Sequence, residues 1–281
     1  MKTTRKIGQT IFAIIVCSLM AACSSDDDEE SGNGVSVGKR LAQVEMRSGW
    51  SSTITSFTYG EDGELSDIHV AQDDAGDSYT EDVIFTIGTT NMSWLYKDGY
   101  YGDNYRFNAT LENGRVRKGK IEHAGTSFFT YDGNNRLTEV DTEYRYDDYI
   151  DTSTYLLTWD GSNIKKIEYY SDGRLKERIE YTYSKHKAGM LAYEMGFNPF
   201  SEFDFLDCVY ERAVFYTGYC GALSEKLPST ATFYNENGTK IGERSYKYTT
   251  SGSTVTSTTI DGYYNGDLSY GYPWKMTVTW E

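Results

Sequence analysis

The chain has 281 residues, with 27 Lys+Arg against 42 Asp+Glu for a net charge of −15, and 26 Tyr, 12 Phe and 5 Trp beside only 3 Pro. That balance excludes a nucleic-acid binder and a body that adheres to anionic lipid, since both need a cationic surface. The aromatic, proline-poor composition favours strands.

The chain opens on a targeting pattern. Lys2, Arg5 and Lys6 make a basic start, and Ile7 to Val16 is an apolar run too short for a spanning helix, which needs about 20 residues. Leu19-Met20-Ala21-Ala22-Cys23 then resembles a bacterial lipobox, in which small residues precede a Cys that is lipidated and becomes the new N-terminus. The expectation is a signal peptide over 1–22 and a lipid anchor at Cys23; an ordinary cleaved signal peptide is the other reading. Removing residues 1–22, which hold three cations and no acid, leaves a charge of −18.

Residues 23–38 read as a tether. Asp26 to Glu30 is an unbroken acidic run and Ser31-Gly32-Asn33-Gly34 follows it, a composition that stays solvated and extended. Acidic runs behind a lipidated Cys resemble the surface-export signal of lipoproteins from Bacteroides-type bacteria. This implies an outer-membrane, surface-exposed address, with a periplasm-facing spacer as the alternative.

Residues 39–281 suit one large all-β domain. One local pattern recurs six times: an aromatic or apolar strand end, a turn holding Gly, then two apolar residues three positions apart. The copies centre on Gly63, Gly114, Gly133, Gly161, Gly173 and Gly238. Asp-Gly and Asn-Gly tolerate the positive φ of tight hairpin turns. The step of three, as from Leu137 to Val140 and Ile164 to Ile167, breaks the strand period of two, so a β-bulge is expected just after each turn. In the run after Gly173, Leu175, Ile179, Tyr181 and Tyr183 fall on one face by alternation. The irregular spacing excludes a strict solenoid. A long antiparallel meander must curl or close to protect its edges, so a water-soluble, barrel-like sheet is expected. Its polar face carries Lys165, Lys176, Arg178 and Glu180 in mid-strand, where a lipid-facing barrel needs an apolar band.

One stretch changes period. Phe205/Leu206, Val209/Tyr210, Ala213/Val214 and Thr217 recur every four residues, which predicts a helix over 201–217. Ser201 and Asp204 cap its start, Gly218 or Gly221 ends it, and its apolar stripe should plug or cap the sheet. Cys208 and Cys220 either form a disulfide, which an exported protein permits, or serve as two small buried hydrophobes.

These features together resemble a family of lipoproteins from Bacteroides-type bacteria, a domain of unknown function with a porin-like fold. The matching residues are the Tyr-Asp-Gly hairpins, such as Phe128 to Leu137, and the segment from Phe215 through Leu227-Pro228-Ser229 into the hairpin at 234–238. The hairpins are also similar to the Tyr-Asp repeats of large secreted toxins. The resemblance spans roughly 40–281 and implies a fold and a location, with no activity and no functional residues.

Catalytic and cofactor motifs are not found. His69, His123 and His186 lie far apart, and there is no zinc spacing, nucleophile elbow or phosphate loop. No cofactor or metal is expected. Asp73-Asp74 and Asp147-Asp148 read as solvated loops. The surplus of tyrosine is the one candidate for ligand contact: Tyr144, Tyr146, Tyr169 and Tyr170 crowd the middle hairpins. Flat aromatic faces stack on sugars, although tyrosine also covers sheets simply as a strand former. The expected function is a non-enzymatic surface module that binds a glycan or a protein, held to the membrane by its lipid and of open oligomeric state. The alternative is a carboxylate-dependent polysaccharide hydrolase.

Overall fold

The computed structural model describes residues 40–48, 51–74, 76–99, 104–121, 125–146, 149–187, 209–222, 224–251, 254–262 and 274–280. The expected signal peptide, Cys23, the tether, Cys208, His123, Asp147-Asp148 and the first half of the expected helix lie outside them. Among the described residues sixteen strands and one helix follow in chain order: β1 (Leu41–Ser48), β2 (Ser51–Tyr59), β3 (Leu65–Asp74), β4 (Asp77–Ile87), β5 (Asn91–Asp98), β6 (Asn104–Glu112), β7 (Arg115–Ile121), β8 (Gly125–Tyr131), β9 (Leu137–Tyr146), β10 (Tyr149–Asp160), β11 (Asn163–Ser171), β12 (Arg174–Lys187), α1 (Val209–Tyr216), β13 (Lys226–Asn235), β14 (Lys240–Ser251), β15 (Thr254–Gly262) and β16 (Trp274–Trp280). Every strand pairs antiparallel with its sequence neighbour, and β1 pairs with β16, with Leu41 opposite Trp280, to close the barrel.

All six expected bulges are present. In each hairpin the ladder slips by one residue just after the turn, leaving Ser66, Arg117, Thr138, Lys165, Lys176 and Ile241 as the extra residues. The turns use the expected chemistry. Asn113-Gly114 and Asp172-Gly173 hold both turn residues at positive φ, the backbone of a type I′ hairpin. Asp132 instead accepts hydrogen bonds on one carboxylate oxygen from the amides of Asn134 and Arg136. The bulge in β12 corrects one expectation. Leu175 pairs with Tyr170, one residue out of phase with the Tyr169–Glu177 and Ile167–Ile179 pairs, so it joins the outer wall and leaves the face of Ile179 and Tyr181.

The barrel has two unlike ends. β1 starts and β16 finishes at the near end, where the β2–β3, β4–β5, β6–β7, β8–β9 and β10–β11 turns also lie. The β12–β13 connection, which contains α1, crosses that end. Tyr216 packs edge-on against Phe57, with ring centroids 5.5 Å apart. The Tyr219 hydroxyl donates to Glu64, the Val116 amide donates to Tyr219 O, and the amides of Ala222 and Glu225 donate to Asn135 O and Ser162 O. Burial and the Glu64 carboxylate push the Tyr219 hydroxyl up to about 12. Gly218 ends α1 at φ +77, as the capping pattern predicts. Ala213 and Val214 of the expected stripe are buried, and so is Phe215, which lies off it. Three successive buried residues make the buried arc of this turn wider than a single stripe laid on a surface.

Near-end aromatic side chains brace neighbouring hairpins. Tyr59, Tyr131 and Tyr248 donate their hydroxyls to the carbonyls of Leu41, Val116 and Pro228 at 3.1, 2.9 and 2.7 Å, and Trp159 Nε1 donates to Leu137 O at 2.8 Å. Tyr183 donates likewise to Ile164 O. Burial raises the pKa of Tyr183 and Tyr248. Guanidinium groups cover several of these rings: Arg40 over Tyr59, Arg117 over Tyr131 and Arg136 over Trp159, at 5.2, 5.6 and 5.5 Å.

The polarity of the walls is the reverse of a membrane porin's. The outer wall exposes Lys97, Arg106, Lys118, Lys120, Lys165, Lys247 and Lys275, where an outer-membrane barrel needs an apolar band. The inner wall buries Ile68, Val83, Trp94, Val116, Ile167, Ile179 and Val278 almost completely. Sixteen strands suffice for an aqueous channel, but side chains with so little exposure line no water-filled one: the near half of the lumen is filled. No helix among the described residues is long and apolar enough to cross a membrane.

Candidate functional site

The inner wall changes character along the barrel. On β9, inward positions run from the buried Val140 and Thr142 to the half-buried Tyr144. On β11 they run from Ile167 to Tyr169 and Ser171, and on β12 from Ile179 back to Glu177. On β3 Ile68 and Val70 give way to Gln72 and the exposed Asp74. Toward the far end the inner wall of β9–β12 therefore presents the buried Ser153 and then the partly exposed Tyr144, Asp151, Tyr169, Ser171 and Glu177.

Tyrosines organise this region. Tyr169 stacks on the fully buried Tyr155, with centroids 5.0 Å apart and rings 21° from parallel, and Tyr96 stacks on the exposed Tyr105 at 6.0 Å. On β3–β4 the Tyr79 hydroxyl donates to Gln72 Oε1 at 2.5 Å. Glu81 pairs with Asp98, so both also face inward. Carboxylates outnumber cations on this wall, where Arg244 lies beside the Phe233 ring at 5.9 Å.

The structure divides the four sequence candidates. Tyr144 and Tyr169 are on the inner wall. Tyr146 occupies the same face of β9 by register with Tyr149, and its side chain lies outside the described set. Tyr170 pairs with Thr154 on the outer wall, as adjacent strand residues must point to opposite faces. Cys220 is a fully buried free thiol lying 3.7 Å from Val214 O, and burial raises its pKa.

The carboxyls with shifted pKa lie elsewhere. Asp67 is raised by desolvation and by the neighbouring Asp82, which also binds His69 Nδ1 at 2.6 Å. Glu139 is raised by desolvation and by the charge and hydrogen bond of Asp141. Both pairs stand on the outer wall. Ser56, His69 and Asp82 share one row across β2–β4, but no hydrogen bond joins Ser56 to His69, and the amides around them belong to strands paired on both sides. Among the described residues no three His, Cys, Asp or Glu side chains gather where they could hold a metal ion. The missed features had a sequence signal: Arg-Leu or Arg-Val at the start of a strand, as at Arg40-Leu41, Arg115-Val116 and Arg136-Leu137, marks a brace.

Solved structures with the same fold exist. A porin-like protein from Bacteroides uniformis superposes with a TM-score of 0.61 at 12% identity, covering 86% of this chain and 97% of that one. A porin-like protein from Bacteroides vulgatus gives 0.56 at 11% identity, over 86% and 98%. At these identities the likeness is one of fold. No family model and no curated protein matches the sequence. The expected porin-like β fold is thus present, with a filled near half and a charged outer wall.

Proposed function

We propose that this protein is a lipid-anchored module on the outer-membrane surface that binds a glycan or protein ligand at the far end of its barrel, without catalysis. One observation carries the reading: on β9–β12 the inner wall turns from packed aliphatic side chains to partly exposed tyrosines and polar groups toward the end opposite α1. The near end is covered by α1 and carries the start of β1 and the end of β16. An anchor at Cys23 would join it through residues 24–39, a reach of up to about 55 Å, leaving the far end free. The acidic run behind Cys23 supports the surface address.

The hydrolase alternative finds less support. The Glu139–Asp141 pair is in direct hydrogen-bond contact, closer than the roughly 5 Å or more that glycosidase carboxyls keep, and it stands on the outer wall. The test is a glycan array with the fragment 35–281, which forms one compact unit. Binding that disappears in Tyr144→Ala and Tyr169→Ala supports the reading. Release of new reducing ends from any bound polysaccharide overturns it in favour of the hydrolase. The anchor is checked separately: Cys23→Ala should abolish palmitate labelling and release the protein from the membrane fraction.

A further inference from the structure

One row of outer-wall side chains runs unbroken across six strands. Lys118, Phe128, Asp141, Thr154, Tyr170 and Leu175 are successive partners on β7 to β12. Phe128 is exposed, and Lys118 Nζ lies 5.3 Å from its ring at the end of the row. Phe128 and Tyr170 are separated by three strand spacings, about 14 Å. Between them Thr154 Oγ1 donates to Asp141 at 2.6 Å. Glu139 and Glu143 flank Asp141 on the same face of β9, one residue pair to either side.

We infer that the outer wall of β8–β11 is a binding strip for a neutral oligosaccharide laid across the strands, with Phe128 and Tyr170 as its two stacking platforms. The separation of the rings suits a chain of about three sugars in contact with both. Aromatic rings match the apolar faces of pyranose rings, while carboxylates and hydroxyls between them match sugar hydroxyls. The three carboxylates of β9 repel acidic polymers. A peptide strand has nothing to pair with, because β8 to β11 are each paired on both sides. A folded protein partner would need an apolar centre, and here the centre is charged. This site is distinct from the far-end inner wall and does not depend on it.

The experiment is calorimetric titration of the full-length protein in detergent with hexasaccharides of β-1,4-glucan, xylan, mannan and chitin, and with oligogalacturonate as the acidic probe. At least one neutral hexasaccharide should bind saturably. Phe128→Ala and Tyr170→Ala should each weaken it about tenfold or more, Tyr170→Trp should preserve it, and Ile84→Ala, exposed on the outer wall of β4 away from the row, should leave it unchanged. Unaltered far-ultraviolet dichroism in each variant checks the fold. Binding of none of the neutral probes, preference for oligogalacturonate, or binding indifferent to Phe128 and Tyr170 overturns the strip. If affinity is lost only with Tyr144→Ala or Tyr169→Ala, the sugar occupies the inner wall instead; the strip fails and the far-end reading gains.

Discussion

The two halves of the barrel are made of the same strands and follow opposite rules. In the near half the inward side chains pack on one another, α1 covers the end, and tyrosine hydroxyls and the Trp159 indole N–H tie several hairpins to the one before. In the far half, on β9–β12, the inward positions turn to tyrosine, serine and carboxylate, and Tyr144, Asp151, Tyr169, Ser171 and Glu177 are only partly buried. A porin-like fold therefore does not dictate a pore. Strand number sets the circumference, but the side chains decide whether the interior is a core, a channel or a site. Here it is a core at one end and a polar wall at the other.

The largest expected effect separates the halves directly. Phe215→Asp would place an unpaired charge at a fully buried position, costing several kcal/mol out of the roughly 5–15 kcal/mol that hold a domain folded. Ser171→Asp, on the inner wall of the far half, should cost about 0.5 kcal/mol or less. Equal urea midpoints for the two variants would break the comparison.

A smaller effect tests how tightly the lumen is filled. A methyl at Gly119 would stand 2.3 Å from the Phe107 ring, which is itself held by Trp94 at a centroid distance of 3.8 Å. Gly119→Ala should therefore cost about 1–3 kcal/mol, as overpacking does. Gly133→Ala, on a turn with open space around it, should be nearly neutral in the same thermal-unfolding assay.

The braces come next. Tyr131→Phe removes the donor to Val116 O and should cost about 0.5–1.5 kcal/mol. Tyr79→Phe at the far end loses a bond to the Gln72 side chain, which can turn to water, so its urea midpoint should shift less.

The smallest effect concerns pH on the outer wall. Glu139 has a raised pKa in the folded chain, so the native state holds its proton more tightly than the unfolded one. Stability from this group is present at acid pH and falls as pH rises through the ordinary carboxylate range. Glu139→Gln should flatten that part of the stability–pH curve, by well under 1 kcal/mol because the group is mostly solvent-screened.

Much of the fold was legible because hairpin chemistry is local. Gly, Asp and Asn at the turns, and the apolar step of three after them, located six hairpins and their bulges from residues a few positions apart. The same locality explains the error at Leu175: alternation was carried through a bulge that reverses it. The closure of β1 on β16 left no local trace, since it depends on contacts between the two ends of the domain. Phe215 escaped the helical stripe because the stripe assumes one narrow buried face, whereas the buried arc of this turn is wider. The candidate site was half legible. Tyrosine surplus pointed to the hairpins whose inner wall carries the proposed site, and the period of two already required Tyr169 and Tyr170 to part.

The closing ladder carries a consequence for how the chain reaches this state. Leu41 cannot meet Trp280 until almost the whole domain has been made, so the last contacts to form span the longest loop available. Until then β1 and β15 are raw edges, each a row of unpaired amides and carbonyls ready to join another chain. A barrel of this design stays vulnerable while it folds and becomes safe only when the seven-residue β16 pairs with β1. Its assembly is thus a race between one intramolecular closure and every intermolecular encounter.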